Sequence, residues 1–269
     1  MNQDSQARVR STLSRVVLLG ASNLTLAWPR ILRLLQSKFH EPMQIFTAQG
    51  MGRSYVCDQS RFGNRVLPGI LQSELWSALK AAWSADDSSE APRVLLTDFG
   101  NDLLYGRSAL EISQGAEQCV RQLQECDPRC QIVLTLPPVE SVHDLGRFRF
   151  GVCRRILFPA SRLTLSEIRS QTTELAERLA ELEQPPNVRL FQPQRRWYGL
   201  DPIHVKRRHQ TEAFASMMSD WQISEPAVVS DAAPVRRTRP QAAVRWVRGK
   251  EHRTAQPAIK SQGVEIFSF

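Results

Sequence analysis

The chain has 269 residues, of which 42% are apolar and 23% are charged. This length and apolar fraction support a folded domain with a sizeable core, so wholesale disorder is excluded. No run approaches the ~20 apolar residues that a membrane-spanning helix needs. Residues 1–15 are polar and lack the cleavage pattern of a signal peptide. We therefore predict a cytoplasmic protein without a membrane span.

The sequence carries none of the common cofactor or metal motifs. Its five cysteines form no CxxC pair, so neither a disulfide framework nor a zinc site is predicted. The GxxxxGK phosphate loop, the full GxGxxG dinucleotide motif and the HExxH zinc motif are all missing. We therefore expect no cofactor and no bound metal.

Half of the net charge of +8 lies in the C-terminal part of the chain, because residues 223–269 hold eight Lys or Arg and four Asp or Glu. A basic tail can bind nucleic acid or an acidic surface. Its only adjacent basic pair is Arg236-Arg237, and Trp246 is the only aromatic residue within its basic cluster. We therefore favour a solvated extension and do not predict a nucleic-acid partner.

Strands and helices are predicted to alternate along the chain. Five apolar runs are predicted as buried strands, at residues 15–19, 43–48, 93–97, 131–136 and 188–191. Apolar residues at helical spacing predict a helix after Pro29 and further helices at residues 71–83, 108–126, 166–182 and 204–221. Strands that are buried on both faces and separated by helices indicate an α/β protein with a parallel sheet between two helical layers.

Two regions depart from this alternation. Residues 140–162 form an irregular insert, with a helix around 147–157, that we expect to shape the pocket. After Trp221 the chain becomes rich in Pro, Ala and Arg. Extended segments on either side of a turn at residues 261–263 then predict a hairpin. Because such a hairpin is too short to be stable alone, it should dock on the main domain or on another chain.

The predicted organisation has four parts. Residues 1–13 form an N-terminal arm and residues 14–222 the main domain. Residues 223–243 form a linker and residues 244–269 a C-terminal extension. The sequence does not indicate the oligomeric state.

Polar residues and glycines follow four of the five predicted strands. In an open parallel sheet, ligands bind outside the carboxyl ends of the strands. The residues at those positions are Gly20, Ala21, Ser22, Asn23, Gly50, Gly52, Gly100, Asn101, Asp102, Asp201 and His204.

These residue types together suit acyl transfer. Ser22 can supply a nucleophilic hydroxyl, His204 can act as its base, and Asp201 can orient the imidazole. An oxyanion needs preorganised donors. The backbone amide of Ser22, the amide of a glycine and the side-chain amide of Asn101 would provide three.

Each residue also has a simpler explanation. Asn101 could cap a turn. Asp201 could be the N-cap of a helix with Pro202 at its first position, which would leave His204 on the helix surface. His209 is a rival base. The convergence of complementary residue types at one sheet edge favours the catalytic interpretation.

The same residues resemble the four sequence blocks of the SGNH, or GDSL-like, hydrolases over residues 14–222. The blocks are Gly20-Ala21-Ser22-Asn23, Gly52, Gly100-Asn101-Asp102 and Asp201-Pro202-Ile203-His204. The resemblance implies a flavodoxin-like three-layer α/β/α fold with a five-stranded parallel sheet. It also implies a serine esterase that works through an acyl-enzyme without a metal.

By this resemblance Ser22 is the nucleophile, and His204 and Asp201 complete the catalytic triad. The oxyanion hole is formed by Ser22, Gly52 and Asn101. The substrate would be a small-molecule, carbohydrate or lipid ester, and the sequence does not indicate which.

The sequence departs from the family pattern at two positions. Ala21 stands where the family usually has Asp, and Phe99 precedes a glycine that is shifted by one place in the third block. The second-block glycine is Gly50 or Gly52, and we favour Gly52 because the Gly-Arg-Ser-Tyr that follows leads away from the strand.

Two alternatives to the esterase hypothesis remain. One is a second serine-hydrolase fold, in which the nucleophile lies on an elbow with the pattern GxSxG. It fits less well, because Leu24 stands where the second glycine of that pattern is needed. The departures at Ala21 and Phe99 motivate a second alternative. This is a catalytically inactive SGNH-fold binding or scaffold protein that engages a partner through its basic tail.

Overall fold

The computed structural model describes residues 13–39, 42–83, 90–157, 163–184, 186–221, 239–261 and 263–269. The predicted arm, apart from residue 13, and residues 222–238, which include most of the predicted linker, lie outside this range. The strands in the described residues are β1 (Ser14–Leu19), β2 (Met43–Ala48), β3 (Gln59–Phe62), β4 (Arg65–Pro68), β5 (Arg93–Leu96), β6 (Gln131–Thr135), β7 (Val188–Phe191), β8 (Val244–Val247), β9 (Lys250–Arg253), β10 (Ile259–Ser261) and β11 (Val264–Ser268).

The main sheet contains seven strands in the order β10-β11-β2-β1-β5-β6-β7. All neighbours are parallel except β10 and β11. The five predicted strands are β2, β1, β5, β6 and β7, and their 2-1-3-4-5 order is that of the flavodoxin-like fold. The predicted fold class is therefore confirmed. The sheet has two strands more than the five expected, because the C-terminal hairpin pairs with the edge that β2 would otherwise expose.

Helices cover both faces of this sheet. They are α1 (Ser22–Lys38), α2 (Leu75–Trp83), α3 (Ala109–Cys126), α4 (Val139–His143), α5 (Arg147–Leu157), α6 (Leu165–Ala180) and α7 (Gln210–Met217). One core lies between the sheet and α2, α3 and α6, and the other lies between the sheet and α1 and α7. None of the helices in the described segments is long and apolar enough to cross a membrane.

Three helix starts differ from the prediction by more than one residue. Helix α2 begins at Leu75 rather than at residue 71. Helix α1 begins at Ser22, and Pro29 lies inside it rather than in its first turn. A carboxylate from another strand satisfies the N-terminal N–H groups of α1, as described below, and this sets the earlier start. Helix α7 begins at Gln210, so His204 lies in a loop, because Asp201 holds the backbone at that point in a turn.

A second sheet, which the sequence did not predict, has the order β3-β4-β8-β9 with antiparallel pairing throughout. Strands β3 and β4 are joined through a turn at Gly63, whose φ is 58°. Each strand has only four residues, and half of the eight residues are polar, so no hydrophobic alternation revealed them. The insert at residues 140–162 contains most of α4 and the predicted helix α5.

The C-terminal extension contributes strands to both sheets. Strand β8 pairs with β4, while β11 pairs with β2 in a register that places Val264 beside Met43. The predicted hairpin is present as β10 and β11 and docks on the main domain. Val264 and Ile266 are fully buried in the core that contains α1 and α7. The extension therefore belongs to the folded core.

Replacing Ile266 with Ala should lower the free energy of unfolding by about 2–5 kcal/mol, because it leaves a cavity in a packed core. Urea denaturation measures the change. Glu265→Ala is the matched control on the same strand, since its partly exposed carboxylate is bonded to the side chains of Lys260 and Gln44. We expect a loss below about 1 kcal/mol for the control. Wild-type stability of Ile266→Ala would contradict an integrated extension.

Candidate active site

Ser22 is positioned by the close approach of β1 and β5. Strand β1 ends at Leu19, and Gly20 and Ala21 lead directly into α1, which begins at Ser22. A Cβ atom on Gly20 would lie 2.7 Å from Cγ2 of Thr97, just beyond β5. Glycine is therefore required here for the two strand ends to meet. Ser22 is buried at this junction with 6% of its surface exposed.

The carboxylate of Asp98 holds the nucleophile loop from the neighbouring strand. It accepts hydrogen bonds from the backbone N–H groups of Ala21 at 2.8 Å and Asn23 at 3.1 Å. These N–H groups belong to the unsatisfied first turn of α1, so Asp98 acts as an N-cap supplied by another segment. Asp98 has a left-handed φ of 70°, which Asp adopts more readily than most residues. A carboxylate therefore braces this loop although position 21 is alanine.

His204 and Asp201 lie in the loop that follows β7. Asp201 Oδ1 accepts hydrogen bonds from the N–H groups of Ile203 at 3.0 Å and His204 at 3.2 Å. This turn brings Oδ2 to 2.5 Å from His204 Nδ1. The opposite ring nitrogen, Nε2, lies 2.7 Å from Ser22 Oγ. The structure thus brings Ser22, His204 and Asp201 into one hydrogen-bonded line.

Asn23 fastens the histidine loop to the nucleophile helix. Its side-chain amide donates to the carbonyl of Ile203 at 2.8 Å and to Asp98 at 2.7 Å, and its Oδ1 accepts from the N–H of Val205 at 2.8 Å. Asn23 therefore joins three segments that are far apart in the sequence. The sequence analysis noted Asn23 in its motif but assigned it no role.

His204 and Asp201 shift each other's pKa. Burial alone would lower the pKa of His204, but the hydrogen bond and charge of Asp201 and the charge of Asp98 outweigh it and raise this pKa above its usual 6.5. Burial alone would raise the pKa of Asp201, but the hydrogen bond and charge of His204 and two backbone N–H groups lower it. The arrangement favours an ionised Asp201 and strengthens His204 as a proton acceptor.

The rival candidate base, His209, makes no hydrogen bond to Ser22 among the described residues. It lies in a 3₁₀ helix, and its Nδ1 is 3.3 Å from the Glu212 carboxylate. Of the two histidines, only His204 is hydrogen-bonded to Ser22.

Three donors suited to an oxyanion lie near the nucleophile loop. The backbone N–H groups of Ser22 and Gly52 donate to no protein acceptor among the described residues. The Asn101 amide donates one hydrogen bond, at 3.0 Å, to the carbonyl of Arg53, which leaves its second N–H free to bind a ligand. Gly52 has a left-handed φ of 66°, and its own carbonyl accepts the hydroxyl of Tyr105 at 2.5 Å.

Ser22 opens into a groove of about 520 Å³ at the sheet edge. Asn101 lines this groove, together with Tyr198 and Ile203, whereas neither Gly50 nor Gly52 does so among the described residues. Gly52 is adjacent in the chain to Arg53, whose carbonyl accepts a hydrogen bond from Asn101. The structure therefore places Asn101 at the groove, whereas the part played by Gly52 stays a prediction.

An apolar cavity of about 590 Å³ adjoins the groove. The two spaces share a wall formed by Gly100, Pro137, Pro138 and Ile203. Beyond this wall the cavity is lined by Leu104, Val142, Leu145, Phe150, Cys153 and Ile168. Four of the twelve lining residues, Val142, Leu145, Phe150 and Cys153, come from the insert, in agreement with the expectation that the insert shapes the pocket.

The described residues contain no group of three or more His, Cys, Asp or Glu side chains arranged to hold a metal ion. The sequence analysis overlooked Asp98 and Arg53 as residues that support the site. The position of Asp98, directly after the third predicted strand, was a usable signal. Arg53 had none, because its partners are main-chain carbonyls that no motif encodes.

No protein-family model and no curated protein matches the chain. Similar solved structures include an aryl esterase of M. smegmatis, at 14% identity and a TM-score of 0.46, and Est24, a carbohydrate acetylesterase of Sinorhizobium meliloti, at 15% and 0.47. Each match covers 77% of this chain and 97% of the other. A member of the lipolytic G-D-S-L family from Veillonella parvula matches at 11% identity and 0.45, over 78% of this chain and 97% of the other. At these sequence identities and TM-scores, the similarity assigns no activity to this chain.

Replacing Asp98 with Ala should lower the free energy of unfolding by about 2–4 kcal/mol. Two buried N–H groups would lose their acceptor, each at a cost of about 1–3 kcal/mol, and Ala tolerates a left-handed backbone poorly. Asp98→Asn is the matched control, because Asn suits this backbone and keeps one carbonyl oxygen. The free energy of unfolding of Asp98→Asn, measured by urea denaturation, should lie between those of Asp98→Ala and the wild type. Equal stability of all three proteins would mean that the carboxylate does not brace the loop.

Proposed function

We propose that the protein is a serine hydrolase that cleaves carboxylic esters through a covalent acyl-enzyme on Ser22. The observation that supports this most directly is the hydrogen-bonded line from Ser22 Oγ through His204 to Asp201, with contacts of 2.7 and 2.5 Å. A nucleophile, a base and an orienting carboxylate at these distances are what activates a serine.

In the proposed reaction His204 Nε2 takes the proton of Ser22 as Oγ attacks the ester carbonyl carbon. The carbonyl oxygen becomes an oxyanion, which accepts hydrogen bonds from the N–H groups of Ser22 and Gly52 and from the Asn101 amide. When the intermediate collapses, His204 gives its proton to the departing alkoxide and the acyl group remains on Ser22. Water, deprotonated by His204, then attacks the acyl carbon, and the carboxylic acid leaves as Ser22 recovers its proton.

The apolar cavity beside the groove supports an ester with a hydrocarbon or aromatic group as substrate. Leu104, Val142, Leu145, Phe150 and Ile168 give it an almost wholly apolar surface. Burial of such a group contributes about 25 cal/mol for each Å² removed from water.

The non-catalytic alternative was motivated by Ala21 and Phe99. Asp98 supplies the carboxylate that the first departure removes, while Phe99 is buried and stacks on Tyr55 at a centroid distance of 4.3 Å. Neither departure displaces Ser22 or His204. No observation in the described residues therefore favours the inactive protein over the esterase.

A fluorophosphonate probe should label the protein stoichiometrically, and the modified peptide should contain Ser22. Labelling requires an activated hydroxyl and donors for the phosphonyl oxygen. It should vanish in Ser22→Ala and slow by orders of magnitude in His204→Ala, as measured by intact mass against time. His209→Ala is the matched control and should label at the wild-type rate.

Failure of the folded wild-type protein to react would favour the inactive alternative. Loss of labelling in His209→Ala but not in His204→Ala would overturn the assignment of the base.

The kcat/KM for a p-nitrophenyl ester should rise with pH along a titration whose pKa lies above 6.5, because only neutral His204 can accept the Ser22 proton. Asp201→Asn removes the charge that raises this pKa, so it should move the titration to lower pH and lower kcat by orders of magnitude. Glu212→Gln, which faces His209, should leave the titration in place. An unchanged titration in Asp201→Asn would contradict the coupling.

A further inference from the structure

Arg53 is a fully buried arginine beside the proposed oxyanion hole. Its Nε donates to the carbonyl of Pro68 at 3.2 Å, where β4 ends, and its Nη1 donates to the carbonyl of Gln49 at 3.3 Å, just after β2. Nη1 also donates to the main-chain oxygen of Phe269, just after β11. One guanidinium therefore joins the ends of β2 and β11, in the main sheet, to the end of β4 in the second sheet.

The parallel pairing of β11 with β2 delivers Phe269 to this place. Because β11 runs in the same direction as β2, its end points toward the same sheet edge. The N–H of Phe269 continues the pairing by donating to the carbonyl of Thr47 at 2.9 Å, and the Phe269 ring is buried in the core with 4% exposure. The last residues of β11 are therefore held firmly at the level of the 49–54 loop.

Arg53 is linked to two of the three donors that the proposed mechanism uses. Gly52 is its immediate chain neighbour, and the backbone carbonyl of Arg53 accepts the Asn101 amide at 3.0 Å. A shift of the Arg53 main chain would turn the Gly52 N–H and release Asn101 together. Small displacements of such donors cost much of their effect, because an oxyanion hole depends on preorganisation.

The guanidinium depends strongly on its few acceptors. Burial and, to a smaller extent, the charge of the nearby Arg65 lower the pKa of Arg53 to about 9, while Tyr55 opposes the change. Nη2 is buried and has no hydrogen-bond partner among the described residues. With Phe269 absent, Nη1 would keep only its long bond to Gln49. A buried cation that loses an acceptor is expensive, so the side chain and its loop would move.

We propose that Arg53, held by the main-chain oxygen of Phe269, is a positioning residue that fixes the Gly52 and Asn101 donors. The C-terminal extension would then control kcat although it holds no catalytic residue. This inference rests on the proposed esterase function.

The test measures kcat and KM for p-nitrophenyl acetate. Arg53→Met, which keeps length but removes every donor, should lower kcat about 10- to 100-fold and change KM less than about threefold. Arg53→Lys keeps one donor and should recover part of the loss. A chain that stops after Ser268 keeps the paired part of β11 and should lose about tenfold in kcat. Phe267→Ala is the matched control, because it weakens the same strand through its stacking on Phe46 without touching Arg53.

A double-mutant cycle separates positioning from a general loss of stability. Asn101→Ala alone should lower kcat on the order of 100- to 1000-fold. If Arg53 acts through Asn101 and Gly52, adding Arg53→Met to Asn101→Ala should cost less than about threefold more. All rates are measured at a temperature where circular dichroism shows each variant to be folded.

The outcomes distinguish this inference from the function on which it rests. An inactive, unlabelled wild-type protein would remove the proposed function itself. An active wild type with wild-type kcat in Arg53→Met and in the chain that stops after Ser268 would overturn only the positioning role. Independent, multiplicative losses in the double mutant would do so as well, as would a Phe267→Ala loss equal to that of the shortened chain. If Arg53→Met does not fold, Arg53→Lys and the shortened chain decide the question.

Discussion

The loops at the carboxyl ends of β1, β2 and β5 are buried, so their polar groups must find partners within the protein. Tyr55 shows how this is met: its hydroxyl lies 2.8 Å from the carbonyl oxygens of both Leu19 and Thr97, which joins the ends of β1 and β5. Asp102 accepts the N–H of Tyr55 and the hydroxyl of Ser54, and burial, partly opposed by these hydrogen bonds, raises its pKa to about 6. The buried polar groups of each loop are thus hydrogen-bonded to another loop, so a movement of one loop would break hydrogen bonds to the next.

These hydrogen bonds between loops also set the geometry of the site. Asp98 caps α1 and so fixes the loop that carries Ser22, while Asn23 joins that loop to the segment that carries His204. The hydrogen bonds that remove the cost of buried backbone groups are therefore the same ones that hold Ser22 Oγ and His204 Nε2 2.7 Å apart. Preorganisation of this kind is a by-product of folding and needs no rearrangement when a substrate arrives.

The parts of the structure that sequence could predict are those encoded by local pattern. Buried apolar runs predicted five strands of the sheet, and residues just beyond them identified Ser22, Asn101 and His204 as neighbours. What could not be predicted depends on partners far away in the chain. Helix α1 starts where Asp98 caps it, and the second sheet forms because β8 pairs with β4. Neither contact produces a periodic pattern in the sequence. Arg53 could not be identified from the sequence for the same reason, because its partners are main-chain oxygens of distant residues.

The C-terminal extension illustrates how composition can mislead about role. Its basic excess suggested a solvated tail, yet its described charges are largely engaged within the fold. Arg253 pairs with Glu74 of the main domain at 3.1 Å, and Lys260 pairs with Glu265 at 2.7 Å within the hairpin. Surface pairs of this kind add little stability, so what ties the extension to the domain is the buried apolar face of β11 and its pairing with β2. An edge strand that would otherwise invite aggregation is thereby covered by the chain's own C-terminal segment. Covering that edge also brings a main-chain oxygen to Arg53, so the strand that completes the sheet contacts the loop that holds Asn101.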